Sequence, residues 1–139
     1  MIDDKTISDA EAMARFERCE AGENGFHHSD HVRVAFAYLK RYPVLSAIEK
    51  FCDGLKRFAA AHGKPDLYHE TISWAYLLLI QERLASRPEL REWDQFAAAN
   101  PDLLRWKDGV MGQYYRPATL QSPLAKRVFV LPDRLAKSD

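Results

Sequence analysis

The feature that most constrains the fold is an unbroken apolar run, Trp74 to Ile80, in the second half of the chain. The residues around this run recur at helical spacing from about Asp66 to Ala85, a stretch too long for one strand, which favours a single helix. A helix that is apolar on all sides has to be covered by other elements. The sequence therefore predicts a helical bundle with the helix near residues 68–85 at its centre.

Caps and breakers divide the rest of the chain into further helices. Ser8 followed by Glu11 is a capping-box pattern and predicts a first helix through Glu20. No segment alternates with the two-residue period of a strand, so the predicted class is all-α, with about six to seven helices in one domain over residues 1–139. The other predicted helices run from Ser29 or a neighbouring histidine to Tyr42, from Pro43 to Gly63, from Pro88 to Asn100, from Pro101 to Trp106, and from Ser122 to a point before Pro132.

Charge and cysteine content argue against several classes of protein. Twenty basic and twenty acidic residues cancel in the 139-residue chain, so we expect neither nucleic acid nor a membrane among its partners. Cys19 and Cys52 are isolated in the sequence, which is typical of a reducing compartment. The N-terminus is too polar for a secretory signal, and no apolar run approaches the roughly 20 residues of a membrane span. We expect a cytoplasmic location.

Three of the five histidines lie between residues 27 and 31. If the second helix begins at or before His28, then His28 and His31 lie on one face; if it begins a residue earlier, His27 and His31 can do the same. Two imidazoles on adjacent helical turns can bind one divalent ion. The sequence leaves open whether His27 or His28 is the partner of His31.

A third ligand is needed from elsewhere, and His69 is the natural candidate. Glu70 or Asp30 would add a carboxylate. It would bind the metal, orient a ligating imidazole by a hydrogen bond, or act as the catalytic acid–base group. Histidines with a carboxylate and open positions suit Zn(II) or Fe(II). The predicted metal ligands are therefore His28, His31 and His69, and the predicted catalytic residues are Glu70 and Asp30.

The same helix ends admit a second interpretation. His31 and His69 both fall in the predicted first turn of a helix, where the positive end of the helix dipole lowers the pKa of an imidazole. Two converging helix N-termini with free N–H groups would also attract an anion. Side chains that would contact a substrate or an anion are Tyr76 and, from the region after Gly112, Tyr115, Arg116 and Lys126.

Several motifs resemble those of a family of small bacterial all-helical proteins for which no activity is established. They are Phe26-x-His28-x-Asp30-His31, Tyr68-His69-Glu70-Thr71, Tyr114-Tyr115 and Pro132-Asp133. The resemblance extends from Phe16 to Asp133. It implies that His28, His31 and His69 are the positions of interest, and it favours His28 over His27.

Three functions remain open on the sequence. The first is a small metal-dependent enzyme acting on a small molecule, through a zinc-bound water or through oxygen at Fe(II). The second is a non-catalytic binding module for an anionic small molecule. The third is a helical homodimer with no active site. Four aromatic side chains would then be exposed in the monomer and form the interface: Trp93, Trp106, Tyr114 and Tyr115.

Overall fold

A computed structural model describes residues 7–22 and 25–134. The regular elements of these residues are all helices, as the sequence predicts. Two 3₁₀ helices, Pro65–Leu67 and Val110–Gln113, lie between the α-helices. Within the described ranges, no helix has both the length and the apolar character needed to cross a membrane. The α-helices are α1 (Asp9–Glu17), α2 (His28–Arg41), α3 (Val44–Ala61), α4 (Glu70–Ser86), α5 (Trp93–Ala99), α6 (Pro101–Leu104), α7 (Pro117–Leu120) and α8 (Pro123–Arg127).

The interior of the bundle is formed by α4 together with α2. The apolar helix α4 packs against α2, α3 and α8, and its Leu77 and Ile80 are fully buried. Helix α2 is enclosed as well, because α1, α3, α4 and α6 contact it and every residue from 32 to 38 is buried. One face of α4 remains open, since Leu78 is 37% exposed along a surface groove. The all-apolar run is thus covered on most sides.

The structure shifts several predicted helix ends. Helix α1 ends at Glu17 rather than Glu20, and α6 ends at Leu104 rather than Trp106. Helix α7 lies in the segment after Gly112 where the sequence showed no regular pattern. The last helix ends before Pro132, as predicted. It stops at Arg127, and the peptide groups that follow it bond to a side chain of α4.

Stacked aromatic rings join α1 and α3 to the segment before α2. The Phe16 ring lies 5.3 Å from that of Phe51 and 5.9 Å from that of Phe58, measured between ring centres. Phe26 packs on Phe58 at 4.4 Å. Three of these rings, those of Phe26, Phe51 and Phe58, also form one wall of the cavity described below.

The close contact of α3 with this cluster depends on Gly54. A Cβ at Gly54 would lie 2.5 Å from Cε2 of Phe16, whose ring is packed on several sides. Alanine gains roughly 0.5–1 kcal/mol over glycine within a helix, whereas over-packing a filled core costs roughly 1–3 kcal/mol. We therefore expect Gly54→Ala to lower the free energy of unfolding by about 1 kcal/mol in urea denaturation.

Gly112 provides the matched control, because a Cβ there meets no atom of the described residues within 4 Å. Gly112→Ala is expected to leave the urea midpoint unchanged or slightly higher. A Gly54→Ala protein as stable as the unsubstituted one would mean that the Phe16 ring can move aside at no cost.

Candidate functional site

A cavity of about 370 Å³ lies between α2, α3 and α4, within the range of roughly 300–1,000 Å³ found for small-molecule pockets. Most of its lining is aliphatic or aromatic. Among the lining residues that the structure describes, Lys64 is the one side chain with a permanent charge. Besides Lys64, the side chains that bring polar atoms into this lining are His28, His31, His62, Tyr68, His69, Ser73, Tyr76 and Trp106.

His28 is the first residue of α2 and is held by a long-range hydrogen bond. Its Nε2–H donates to the carbonyl oxygen of Leu103 at 2.9 Å, and since a carbonyl only accepts, Nδ1 of the neutral ring is left as an acceptor. The ring packs edge-on against Tyr76 at 4.6 Å and against Trp106 at 5.3 Å, between ring centres. Burial lowers the pKa of His28, and the bond to Leu103 opposes this less strongly.

His31 lies one turn further along α2, with its ring centre 6.4 Å from that of His28. The Phe26 ring packs on it at 4.6 Å. Burial lowers the pKa of His31 to about 4, and the nearby His28 adds to the shift. A pKa of about 4 keeps the imidazole neutral at pH 7. Among the described residues neither ring nitrogen of His31 has a hydrogen-bond partner, so the neutral ring has one free donor and one free acceptor.

Tyr76 reaches the same part of the cavity from α4. It is 7% exposed, and burial raises the pKa of its hydroxyl to about 12, with a further contribution from Asp102. The hydroxyl lies near Gly109, where an added Cβ would be 3.3 Å away. Its oxygen has no hydrogen-bond partner in the described part of the chain. Tyr76 thus brings an unpaired hydroxyl into the cavity lining, and its predicted contact to a small molecule stays a prediction.

His69 also lines the cavity, but both of its ring nitrogens are used within the protein. As the N-cap of α4, it accepts the Ile72 N–H through Nδ1 at 3.1 Å, and its Nε2–H donates to the Leu120 carbonyl at 2.7 Å. Ser73 Oγ donates to the His69 carbonyl at 2.7 Å. This residue fixes the start of α4 against α7.

The three predicted metal ligands border one cavity without forming a ligand set. The described residues contain no group of three His, Cys, Asp or Glu side chains placed to hold a metal ion. Two imidazoles bound tetrahedrally to one zinc ion have ring centres about 5 Å apart, given a Zn–N bond near 2.1 Å, and His28 and His31 are further apart than that. A Zn or Fe cofactor stays a prediction from the sequence.

The two carboxylates predicted to be catalytic do not line the cavity. Asp30 accepts the backbone N–H of His27 at 2.7 Å and so caps the start of α2. Glu70 accepts a hydrogen bond from the Tyr68 hydroxyl. His27 is largely exposed and also lies outside the cavity lining, so His28 is the one of the two that faces the cavity.

The other predicted contact residues lie elsewhere. Tyr115 is 1% exposed and donates to the Val130 carbonyl at 2.6 Å, while the backbone N–H of Arg116 donates to Asp133 at 3.0 Å. Tyr115 borders a shallow second groove of about 660 Å³ between α4 and the C-terminal segment. Neither Arg116 nor Lys126 lines either pocket.

Several cavity residues, among them Trp106 and His62, were not assigned to a site from the sequence. Trp106 is 60% exposed at the mouth, and His62 packs on Phe58 with its Nε2–H donating to the Cys19 carbonyl at 2.8 Å. Neither belongs to a local motif. Of the aromatic residues proposed for a dimer interface, Trp93 and Tyr114 are half-buried and Tyr115 is buried, which leaves Trp106 as the exposed one.

Comparison of the chain with family models, with curated proteins and with solved structures finds no match in any of the three. The resemblance noted from the motifs stays a prediction. Any proposal about this chain's function therefore rests on the geometry of the cavity.

Proposed function

We propose that this protein binds a small organic molecule in the cavity between α2, α3 and α4. The main support is the combination of a mostly apolar lining of suitable size with polar atoms that lack protein partners. Pockets for small molecules typically have this composition, in which apolar walls supply affinity and a few polar groups fix orientation.

This proposal retains the small-molecule partner predicted from the sequence but changes the expected chemistry. The basic residues predicted for an anion, Arg116 and Lys126, are not in the cavity lining. The predicted catalytic carboxylates, Asp30 and Glu70, are not there either. Binding of a largely apolar molecule is therefore the activity that the lining residues support best.

The test uses the neutral fluorescent probe N-phenyl-1-naphthylamine, whose emission rises and shifts to shorter wavelength in an apolar site. We expect saturable binding of one probe per chain. Ile72→Trp places a larger side chain at the cavity wall and is expected to weaken binding at least tenfold by occupying the space the probe needs.

Leu79→Trp is the matched control, because Leu79 lies on the same helix but lines the shallow second groove instead. It is expected to bind the probe as the unsubstituted protein does. Circular dichroism melts establish that both variants are folded. Probe emission that never saturates, or equal affinity in the two variants, would contradict the proposal.

A further inference from the structure

Several of the cavity's polar atoms that lack partners belong to neighbouring side chains of α2 and α4. His31 has two unpaired ring nitrogens, Nδ1 of His28 is left as an acceptor, and the Tyr76 hydroxyl is unpaired among the described residues. The His28 ring contacts that of Tyr76, and the His31 ring is the next one along α2. These atoms are not sealed inside the protein, since Arg33 Nε is the one fully buried polar side-chain atom without a partner in the described part of the chain. They border the cavity space instead, so a molecule bound there can take the place of water as their hydrogen-bond partner.

These groups offer both donors and acceptors to the ligand. The two imidazoles each present an unprotonated nitrogen, and the His31 N–H and Tyr76 O–H can donate. A hydroxyl group on the ligand would satisfy both kinds, because it donates one hydrogen bond and accepts another. An ether or ketone oxygen would only accept, and would leave the Nδ1 of His28 without a donor.

The charges around the cavity argue against an ionic ligand. No carboxylate and no guanidinium group belongs to the described lining, and the single ammonium group, that of Lys64, is on an exposed residue. A charged group placed next to His31 would lose water without gaining a counterion, which is costly in an apolar environment.

Building on the proposed function, we infer that the ligand is an uncharged, mainly apolar molecule with a hydroxyl group, and that this hydroxyl binds among His28, His31 and Tyr76. A phenol or an alcohol on an apolar ring system has this chemistry. The apolar part would contact the aliphatic and aromatic walls contributed by α2, α3 and α4.

Three probes of one ring system separate the possibilities at pH 7.5. 2-Naphthol is neutral and both donates and accepts, 2-methoxynaphthalene only accepts, and 2-naphthoate is an anion. Isothermal titration calorimetry is expected to give about tenfold tighter binding for 2-naphthol than for 2-methoxynaphthalene, the effect of one well-placed hydrogen bond. We expect 2-naphthoate to bind more weakly than either neutral probe.

Two variants locate the hydroxyl. His31→Phe keeps an aromatic ring of similar size but removes both nitrogens, and is expected to abolish the preference for 2-naphthol while 2-methoxynaphthalene still binds. Tyr76→Phe is expected to reduce the preference in part. The control is His27→Phe, because His27 lies outside the cavity lining; it is expected to leave the tenfold preference intact.

The possible failures are distinguishable. Equal affinity for the two neutral probes, or a preference that survives in His31→Phe, would overturn the hydroxyl inference and leave the cavity's binding function standing. Tighter binding of 2-naphthoate would overturn the assignment of an uncharged ligand. Failure of all three probes and of N-phenyl-1-naphthylamine to bind would overturn the proposed function itself.

Discussion

Lowering the pH from 7 to 4 is expected to reduce the free energy of unfolding by about 3 kcal/mol, largely through His31. Burial lowers the pKa of this side chain from 6.5 to about 4 in the folded protein, and nearby His28 acts in the same direction. Between these two pH values the unfolded chain binds a proton that the folded protein does not, so stability rises with pH. The part of the free energy of unfolding that depends on neutral His31 is fully present above about pH 6.5. It is lost progressively as the pH falls to 4.

Urea denaturation at several pH values between 4 and 7.5 measures this dependence. In His31→Phe the ring has no proton to bind, so most of the slope is expected to vanish. A smaller slope remains because burial also lowers the pKa of His28, and because the hydrogen bonds of carboxyl groups such as Asp102 lower their pKa. His27→Phe serves as the control and is expected to keep the full slope. An unchanged slope in His31→Phe would show that this side chain is not held in its neutral form by the fold.

The helical architecture could be predicted because its signals are local. The apolar run at residues 74–80 predicts one helix. Apolar residues at three- and four-residue steps between Pro43 and Gly63 predict another, which is α3. The Ser8–Glu11 pattern likewise predicts the start of α1, where Ser8 Oγ accepts the Glu11 N–H at 3.0 Å. Such contacts span three or four residues and can be inferred without knowledge of the tertiary fold.

The role of each histidine could be predicted only in part. The spacing placed His28 and His31 on adjacent turns of one helix face, and the structure places both in the cavity lining. The partners that decide their chemistry lie far away in the chain: Leu103 is 75 residues from His28, and Leu120 is 51 residues from His69. No local pattern shows which backbone carbonyl will meet an imidazole nitrogen.

The same limitation explains why Tyr115 was predicted to contact a substrate. Adjacent tyrosines beside an arginine after a glycine are equally consistent with a binding loop and with a segment packed on the bundle. The hydroxyl of Tyr115 bonds to the backbone of Val130, which lies in an extended segment after α8. This tertiary contact and the one from Thr71 are among those that hold the C-terminal segment on the bundle.

Thr71→Val is expected to lower the free energy of unfolding by about 2 kcal/mol, because it removes one side chain that bonds to two backbone groups. Thr71 is fully buried in the first turn of α4. Its hydroxyl donates to the Val128 carbonyl at 2.8 Å and accepts the Val130 N–H at 3.0 Å. Valine has nearly the same shape but cannot make either hydrogen bond, and each bond is worth roughly 0.5–1.5 kcal/mol when its partner is only partly buried.

Thr71→Ser distinguishes loss of the hydrogen bonds from loss of packing. Serine keeps the hydroxyl and removes only the methyl group, for which we expect a loss of about 1 kcal/mol. Urea denaturation gives both values, and hydrogen exchange at the Val130 amide is expected to speed up markedly in Thr71→Val but little in Thr71→Ser. Thr71 does not line the cavity, so the folded Thr71→Val protein is expected to bind N-phenyl-1-naphthylamine normally. If serine destabilised the fold as much as valine, the methyl contact rather than the paired hydrogen bonds would hold the C-terminal segment on α4.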